Sequence, residues 1–274
     1  LPVLPKPTGL EPPGQAVRAV VNGEACGAVV EALTSRRFRR NACYREDDLR
    51  RLVQDAIMAG RSAEFLMFWG CGPRSVAGAP DHIAIEALAD LLASVRRAAP
   101  LDARVDIVCT DGHATNNGHS VAHYRSYFGS VQRAAAKLNA TFHLESEVWR
   151  AGGLSKAMVS AFEATADFIA RWERFALRDR FVRQAGRHSR ITDQVAAARH
   201  YYATCLLERD LLKARFGNSV FLTYNGPEFN ECFPDLPTLY IYPGPRGRTD
   251  KPWFVHDGAE LDLSPASGLA VAAE

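Results

Sequence analysis

A short apolar run followed by a glycine-rich loop and a helical pattern constrains the fold of this chain more than any other feature. Residues 65–69 are all apolar, residues 70–75 read Gly-Cys-Gly-Pro-Arg-Ser, and apolar residues recur at helical spacing between His82 and Leu92. This order predicts a buried β-strand, a loop and an α-helix. In an open α/β sheet, ligands bind beyond the carboxyl ends of the strands, where such loops lie. The segment therefore predicts an enzyme with a small-molecule site near this loop.

The alternation of strand and helix continues along the chain. Strands are predicted at residues 65–69, 105–109, 141–144, 219–224 and 239–242. Helices are predicted at residues 25–40, 46–59, 81–97, 120–138, 154–183 and about 193–215, with Gly60 ending the second, Asp81 capping the third and either Thr192 or Asp193 capping the last. This order indicates right-handed βαβ crossovers. We therefore predict a Rossmann-like α/β fold with a parallel or mixed sheet flanked by helices.

One catalytic domain accounts for most of the chain. Residues 1–16 carry five prolines and predict a flexible leader, and residues 263–274 are weakly patterned and predict a tail. The single α/β domain would run from 17 to 262, with a helical insertion at about 154–215. The chain length of 274 residues allows a large core.

Charge and cysteine usage exclude several classes of function. The formal net charge of +2 is too small for a nucleic-acid-binding tract, and no apolar run approaches the roughly 18 residues of a membrane span. Six cysteines are scattered without a C-x-x-C pair, which indicates reduced thiols in the cytoplasm and no zinc site. We expect small-molecule substrates as partners, no cofactor and no metal. An aromatic stripe could form core or a homodimer interface: Phe162, Phe168, Trp172 and Phe175.

Titratable residues concentrate around the ends of the second and third predicted strands. They are Asp111, His113, His119, His123, His143 and Glu145. The carboxyl ends of parallel strands meet at one edge of a sheet, and histidine suits proton transfer near neutral pH. We predict Asp111 and His113 as catalytic residues, and His119, His143 and Glu145 as substrate contacts.

Metal binding is an alternative use of the same residues. His119 and His123 lie four positions apart and could bind one ion together with Asp111. No H-x-H or H-E-x-x-H spacing is present, so proton transfer or substrate contact is the favoured interpretation.

The first loop and the helix after it contain a second group of candidates. Arg74 and Ser75 could bind an anion, because guanidinium pairs with carboxylate or phosphate, or they could simply be exposed. His82 and Glu86 share a helix face and could form a catalytic acid–base pair or a surface ion pair.

Two later segments complete the predicted site. Tyr224 and Asn225 directly follow a predicted strand and could line the rim of the pocket. Trp253 lies in a Lys-Pro-Trp-Phe segment that could form either a closing lid or a surface hairpin. We include Tyr224, Asn225 and Trp253 among the substrate-binding residues.

Taken together, the order of these elements resembles the isonitrile (isocyanide) synthase family, which acts on tyrosine or tryptophan. The similar positions are Phe68 to Arg74 and Ser75, then Pro80, Asp81 and Leu88, then Thr110, Asp111 and Gly112, then Val121 to Tyr124, and finally Pro252 and Trp253. Arg74 stands where the family has lysine, and Phe254 stands where it has histidine.

The resemblance implies a Rossmann-like biosynthetic enzyme that condenses the amine of an aromatic amino acid with a sugar-phosphate ketone through an imine. Arg74 would bind the phosphate or the amino-acid carboxylate, and Tyr124 would contact substrate. His82 or His113 would act as the base. The acids would protonate leaving groups or accept the ammonium: Glu86, Asp111 and Glu145.

Three other functions fit parts of the sequence. A Pictet–Spengler-type condensing enzyme would need the same carboxylate clamp without a phosphate site. An S-adenosylmethionine-dependent methyltransferase would use the glycine loop, although no acid follows at the distance expected for a ribose contact. A non-catalytic ligand-binding subunit would not need the clustered titratable residues.

Overall fold

The centre of the molecule is a parallel sheet of five strands. A computed structural model describes residues 13–186 and 191–255, and the strands are β1 (Ala63–Trp69), β2 (Ala103–Cys109), β3 (Ala140–Leu144), β4 (Ser219–Thr223) and β5 (Thr238–Tyr240). Their order is β3-β2-β1-β4-β5, and every pairing is parallel. The predicted Rossmann-like α/β fold is confirmed. Because β2 and β4 lie on opposite sides of β1, the winding direction reverses between β1 and β4.

Helices cover both faces of this sheet. They are α1 (Pro13–Leu33), α2 (Glu46–Ala59), α3 (Ala79–Ala98), α4 (Asp111–Asn116), α5 (Val121–Ala134), α6 (Glu145–Ala151), α7 (Lys156–Glu163), α8 (Ala166–Arg174), α9 (Arg178–Gly186) and α10 (Gln194–Phe216), with 3₁₀ turns at Pro227–Cys232 and Pro252–Phe254. Within the described ranges, no helix combines the length and apolarity needed to cross a lipid bilayer.

Alternate residues of β1 enter two separate hydrophobic layers. Phe65, Met67 and Trp69 pack with apolar side chains of α1, α2, α3 and α5. Leu66 packs into the second layer, which α6 to α10 supply, and Phe68 borders it. This alternation follows from the two-residue period of a strand. Because both faces are covered, the strand is apolar throughout, as expected for a parallel sheet.

Local sequence signals explain the boundaries that the sequence predicted well. Helix α2 occupies the predicted range 46–59 and ends at Gly60, whose φ of 60° lies in the left-handed region that glycine tolerates. Asp193 caps α10, because its carboxylate accepts hydrogen bonds from the backbone N–H groups of Val195 and Ala196.

Other boundaries differ from the sequence predictions. The helix predicted at 25–40 runs from Pro13 to Leu33, so residues 13–16 of the predicted leader are helical. The rest of that leader and the predicted tail lie outside the described residues. The helix predicted at 154–183 is three helices, because Ser155 and Thr165 each cap a new one. The residues directly after β2 and β3 form two short helices that the sequence analysis did not predict, α4 and α6.

Asp81 is the third residue of α3 and not its N-cap, which is Gly78. The fully buried Asp81 carboxylate accepts hydrogen bonds from Arg74 Nη2 at 2.6 Å, Tyr127 Oη at 2.5 Å and the backbone N–H of Gly78 at 2.9 Å. Arg74 Nη2 also donates to the carbonyl of Pro252 at 2.7 Å. The Asp81 network therefore joins the loop after β1, two helices and the 252–254 turn.

We expect Asp81→Asn to lower the free energy of unfolding by about 3–5 kcal/mol, because it removes the buried carboxylate charge that pairs with the Arg74 guanidinium. Asp90→Asn on the same helix is the matched control, since the Asp90–Arg37 pair is exposed and contributes less than about 1 kcal/mol. Urea denaturation measures both changes. Equal changes in the two variants would contradict this role of Asp81.

Candidate active site

A cavity opens at the carboxyl edge of the sheet, where β1 and β4 part. Residues that follow β1, β2 and β4 line it, including Cys71, Thr110 and Asn225. It contains about 690 Å³ of empty space, part of which is open to solvent. Ligands of open α/β sheets bind at such reversal points, because the loops on the two sides diverge and leave a crevice. The position alone makes this cavity the candidate site.

Aromatic side chains form most of the apolar wall, and we call this space the aromatic cavity. They are Phe68, Tyr201, Tyr224, Phe229, Trp253 and Phe254. The centroids of Tyr224 and Trp253 are 6.0 Å apart, and those of Tyr201 and Phe229 are 6.2 Å apart. Rings in this arrangement suit a flat or apolar ligand group.

The glycine loop after β1 makes room for the Trp253 segment. A Cβ atom at Gly70 would lie 2.5 Å from Trp253 Cε2, and one at Gly72 would lie 1.9 Å from the Trp253 carbonyl oxygen. Close packing of the chain thus requires both glycines. The methyltransferase interpretation, which assigned the glycines to a cofactor, loses its main support.

His113 lies between two buried carboxylates at the side of the aromatic cavity. Its Nε2 is 3.2 Å from Glu208 Oε1 and 3.3 Å from Glu145 Oε1, and its backbone N–H donates to Glu145 Oε2. Trp149 Nε1 donates to the other oxygen of Glu208 at 2.7 Å. The His113 ring also packs on Tyr201, with 4.4 Å between centroids. These contacts fix the orientation of the imidazole.

The two carboxylates control the protonation of this network. Burial by itself would lower the pKa of His113, but the charges of Glu145 and Glu208 outweigh burial and raise that pKa well above its ordinary value. Burial also raises the pKa of Glu145, while the His113 charge lowers that pKa and the Glu208 charge raises it. The raised pKa values of His113 and Glu145 favour a proton held between the two groups, which this pair can donate.

Three buried polar atoms of cavity-lining residues lack hydrogen-bond partners among the described residues. They are His113 Nδ1, Tyr224 Oη and Asn225 Oδ1. A buried polar atom without a partner costs about 1–3 kcal/mol. Such a cost at three atoms of one cavity is expected where a polar ligand completes the hydrogen bonds.

A second cavity adjoins the first and carries the charges. We call it the charged cavity, and its charged lining residues are Arg40, Arg180, Glu228, Asp250 and Lys251. It contains about 1060 Å³ of empty space, partly open to solvent. Residues common to both cavities are Gln184, Tyr224, Asn225, Phe229, Lys251 and Phe254. A ligand can therefore have an apolar part in one cavity and an anionic part in the other.

The structure brings several predicted site residues together. His113, Tyr224, Asn225 and Trp253 line the aromatic cavity. Glu145 lies directly behind His113 and is fully buried. These five residues come from four separate parts of the chain, and the parallel strand ends place them at one edge as predicted.

Four predicted residues on or near α3 lie elsewhere. Arg74 pairs with Asp81 in the Asp81 network and does not line either cavity, so its guanidinium is used internally. Ser75, His82 and Glu86 are exposed and line neither cavity. The helix turns the His82–Glu86 face to solvent because the apolar face of α3 packs on the sheet.

Three other predicted residues have structural contacts. Asp111 accepts hydrogen bonds from the backbone N–H and the hydroxyl of Ser146 and so holds the start of α6. His143 pairs with Asp106 at 2.7 Å on the outer strands. Tyr124 is buried in the first core layer.

His119 has different neighbours from those predicted. In the part of the chain that the structure describes, one ligand atom each of Cys71, His119 and His123 lie within 4.8 Å of one another. Thiolate and imidazole are donors that zinc prefers, so this trio, without Asp111, could hold an ion. The same spacing holds for a second trio: His113, Cys205 and Glu208.

The sequence analysis missed the contribution of α10. Tyr201 and Cys205 lie within contact of the His113 ring, and Glu208 pairs with it. One signal in the sequence could have revealed this contribution. Positions 201, 205, 208 and 212 lie on one face of the predicted helix, and three of them carry Tyr, Cys or Leu. The acid Glu208 on this otherwise uncharged face indicates a buried carboxylate. Lys251, which lines both cavities, was noted only as part of a possible lid.

Comparisons with known proteins show a distant structural relationship. No protein-family model and no curated protein matches the sequence. PvcA (PA2254) from Pseudomonas aeruginosa has a similar structure, with a TM-score of 0.60 and 15% identity over 84% of this chain and 87% of that chain. The resemblance to the isonitrile synthase family is thus confirmed as a distant one, at the level of the fold.

Two tyrosyl-tRNA synthetases complexed with L-tyrosine are also among the similar structures. The enzyme from Archaeoglobus fulgidus has a TM-score of 0.44 and 15% identity, covering 78% of this chain and 63% of that chain. The enzyme from Pyrococcus horikoshii has a TM-score of 0.38 and 11% identity, covering 76% and 52%. These values describe a partial match only.

We expect Tyr224→Phe to leave the free energy of unfolding unchanged or to raise it by about 1 kcal/mol, because the lost hydroxyl has no partner among the described residues. Tyr127→Phe is the control. It loses the bond to Asp81 and should cost about 1.5–3 kcal/mol. Urea denaturation measures the free energy of unfolding of both variants. If Tyr224→Phe lowers it as much as Tyr127→Phe does, the Tyr224 hydroxyl already has a hydrogen-bond partner in the protein.

Proposed function

We propose that this protein is a biosynthetic enzyme that condenses the amine of an aromatic amino acid with a carbonyl compound through an imine, as isonitrile synthases do. One observation carries the proposal. An aromatic cavity at the reversal point of the sheet is bordered by His113, which two buried carboxylates orient. The cavity would bind the amino acid, and the His113 network would transfer the protons.

The walls of the aromatic cavity support an aromatic amino acid as one substrate. A substrate ring would pack among side chains such as Phe68 and Phe229, where aromatic contacts are favourable beyond their buried area. The unpartnered atoms of Tyr224 and Asn225 would hydrogen bond to its polar groups.

Imine formation needs two kinds of proton transfer, and the His113 network suits both. The amine must lose protons as it attacks, and the hydroxyl of the carbinolamine must gain one to leave as water. The raised pKa values of His113 and Glu145 favour a proton held by this pair. One proton can be donated to the leaving hydroxyl and recovered from the attacking amine.

The charged cavity supports an anionic group on one of the substrates. Arg40 and Arg180 both line it, and guanidinium groups pair well with carboxylate or phosphate. In this proposal they take the role that the sequence analysis gave to Arg74. The anionic group would then project away from the aromatic walls.

A thermal-shift screen followed by mass spectrometry tests the proposal. We expect aromatic amino acids to raise the melting temperature, since a ligand that binds only the folded state stabilises it. Incubation of such an amino acid with pentose phosphates or small aldehydes should then give a condensed product. Absence of both responses would reject the proposal, and a shift with S-adenosylmethionine alone would favour the methyltransferase.

We expect Glu145→Gln to lower kcat for the condensation by about 10²–10⁴-fold, because it removes a buried acid beside His113. The melting-temperature shift with the amino acid should persist. Glu147→Gln, on the exposed side of the same helix, is the matched control and should behave as the unmodified protein does. Equal rates in the two variants would remove Glu145 from the mechanism.

A further inference from the structure

Lys251 lies where the aromatic and charged cavities meet, and it lines both. Its Nζ is 5.1 Å from the ring centroid of Phe229 and 5.6 Å from that of Phe254. Within residues 13–186 and 191–255, Lys251 makes no hydrogen bond through Nζ and no ion pair. The amine is therefore held by ring faces alone, which solvate an ammonium less well than water or a carboxylate does.

Glu228, an acidic residue near Lys251, already pairs with Arg180. Glu228 lines the charged cavity, and its Oε2 lies 3.2 Å from Nε of Arg180. Arg40 also faces this cavity and donates to the backbone carbonyl of Tyr224 at 2.6 Å. The charged cavity thus places two arginines near Lys251, while the Glu228 carboxylate is shared with Arg180 and the Asp250 side chain is exposed. This arrangement does not favour the charged form of Lys251.

The acidity of Lys251 agrees with this geometry. The pKa of Lys251 is lowered from 10.5 to about 8, mainly by burial, with the Glu228 charge raising it and the Arg40 charge lowering it. The other titratable residues lining the two cavities are Cys71, His113, Arg180, Tyr201, Tyr224 and Asp250. Roughly a tenth of the Lys251 side chains would then be neutral at pH 7, against well under a thousandth for an ordinary lysine.

We propose that Lys251 forms a covalent imine with the carbonyl substrate and passes the carbon to the amine of the amino acid. This inference rests on the proposed function in one respect only, namely that the amine that receives the carbon from Lys251 belongs to an aromatic amino acid. The carbonyl substrate belongs to a stated class: an aldehyde or ketone that carries a phosphate or carboxylate.

The chemical steps balance without a further reactant. Lys251 Nζ adds to the carbonyl carbon, its proton moves to the oxygen, and the hydroxyl leaves as water after gaining a second proton. The amine of the amino acid then adds to the same carbon. Lys251 leaves with one proton as a free amine, and an imine between the two substrates remains. A desolvated lysine beside other cations is a known setting for this nucleophile.

The arginines make a purely anion-binding role for Lys251 unnecessary. Arg40 and Arg180 already present guanidinium groups to the charged cavity, whereas the Lys251 amine lies on two rings at the border of the aromatic cavity. An anion held by the arginines would leave the carbonyl of a small substrate beside Lys251. The amine of an amino acid in the aromatic cavity would approach from the other side.

Reductive trapping tests the inference on the full chain. The protein is incubated with dihydroxyacetone phosphate or with glyoxylate in the presence of sodium cyanoborohydride, which reduces an imine to a stable secondary amine. Peptide mapping by mass spectrometry then locates the adducts. We expect Lys251 to be modified about tenfold or more faster than Lys213 at pH 8, because its lowered pKa leaves more of the Lys251 amine uncharged and nucleophilic.

The pH dependence and two variants give independent checks. Trapping at Lys251 should rise as the pH increases through about 8, where the ammonium loses its proton. Lys251→Arg should abolish the fast adduct, and Lys213→Arg, which alters a surface pair with Asp235, should retain it. If Lys251→Arg does not fold, peptide mapping of the adducts on the chain without substitutions still tests whether Lys251 is the preferred site.

Adducts distributed over the exposed lysines, with no preference for Lys251, would overturn the inference. So would the lack of a Lys251 adduct from either carbonyl probe, because the residue would then not form the imine. If an aromatic amino acid binds and a product forms while Lys251 stays unmodified, this inference fails and the proposed function stands. A Lys251 adduct without binding of any aromatic amino acid would support this inference and reject the proposed function.

Discussion

The buried Arg74–Asp81 ion pair is the interaction on which the candidate site depends. The ion pair fixes the loop after β1 against α3. Arg74 Nη2 also donates to the carbonyl of Pro252, and this hydrogen bond holds the 252–254 turn beside the aromatic cavity. That turn carries Trp253, which forms a cavity wall and packs on the glycine loop. Because a buried pair is costly to break, this part of the wall is a fixed feature of the fold.

The cavities then divide recognition from chemistry. Aromatic rings offer an apolar surface, Arg40 and Arg180 offer charge, and the His113 network offers protons. His113 and Lys251 differ in how burial affects them. Nearby carboxylates raise the pKa of His113 despite its burial, whereas burial lowers the pKa of Lys251 below that of an ordinary lysine. An acid and a nucleophilic amine can therefore coexist at neutral pH.

Local signals predicted much of the fold, but only part of the site. The apolar run of β1 and the glycine that ends α2 are encoded by neighbouring residues. The shared edge of parallel strands also brought His113 near Tyr224. By contrast, Glu208 is 95 positions from His113, and only the packing of α10 joins them. The sequence analysis assigned Arg74 to ligand binding, because the sequence does not reveal that its guanidinium pairs with the buried Asp81 seven residues away.

A crystal structure of the protein with an aromatic amino acid bound would test the central claim most directly. The account predicts that its ring lies in the aromatic cavity among Phe68, Phe229 and Trp253. Its polar groups would reach Asn225 and the free nitrogen of His113. An amino acid bound outside this cavity, or a cavity that stays empty at saturating concentration, would contradict the claim that this edge of the sheet is the active site.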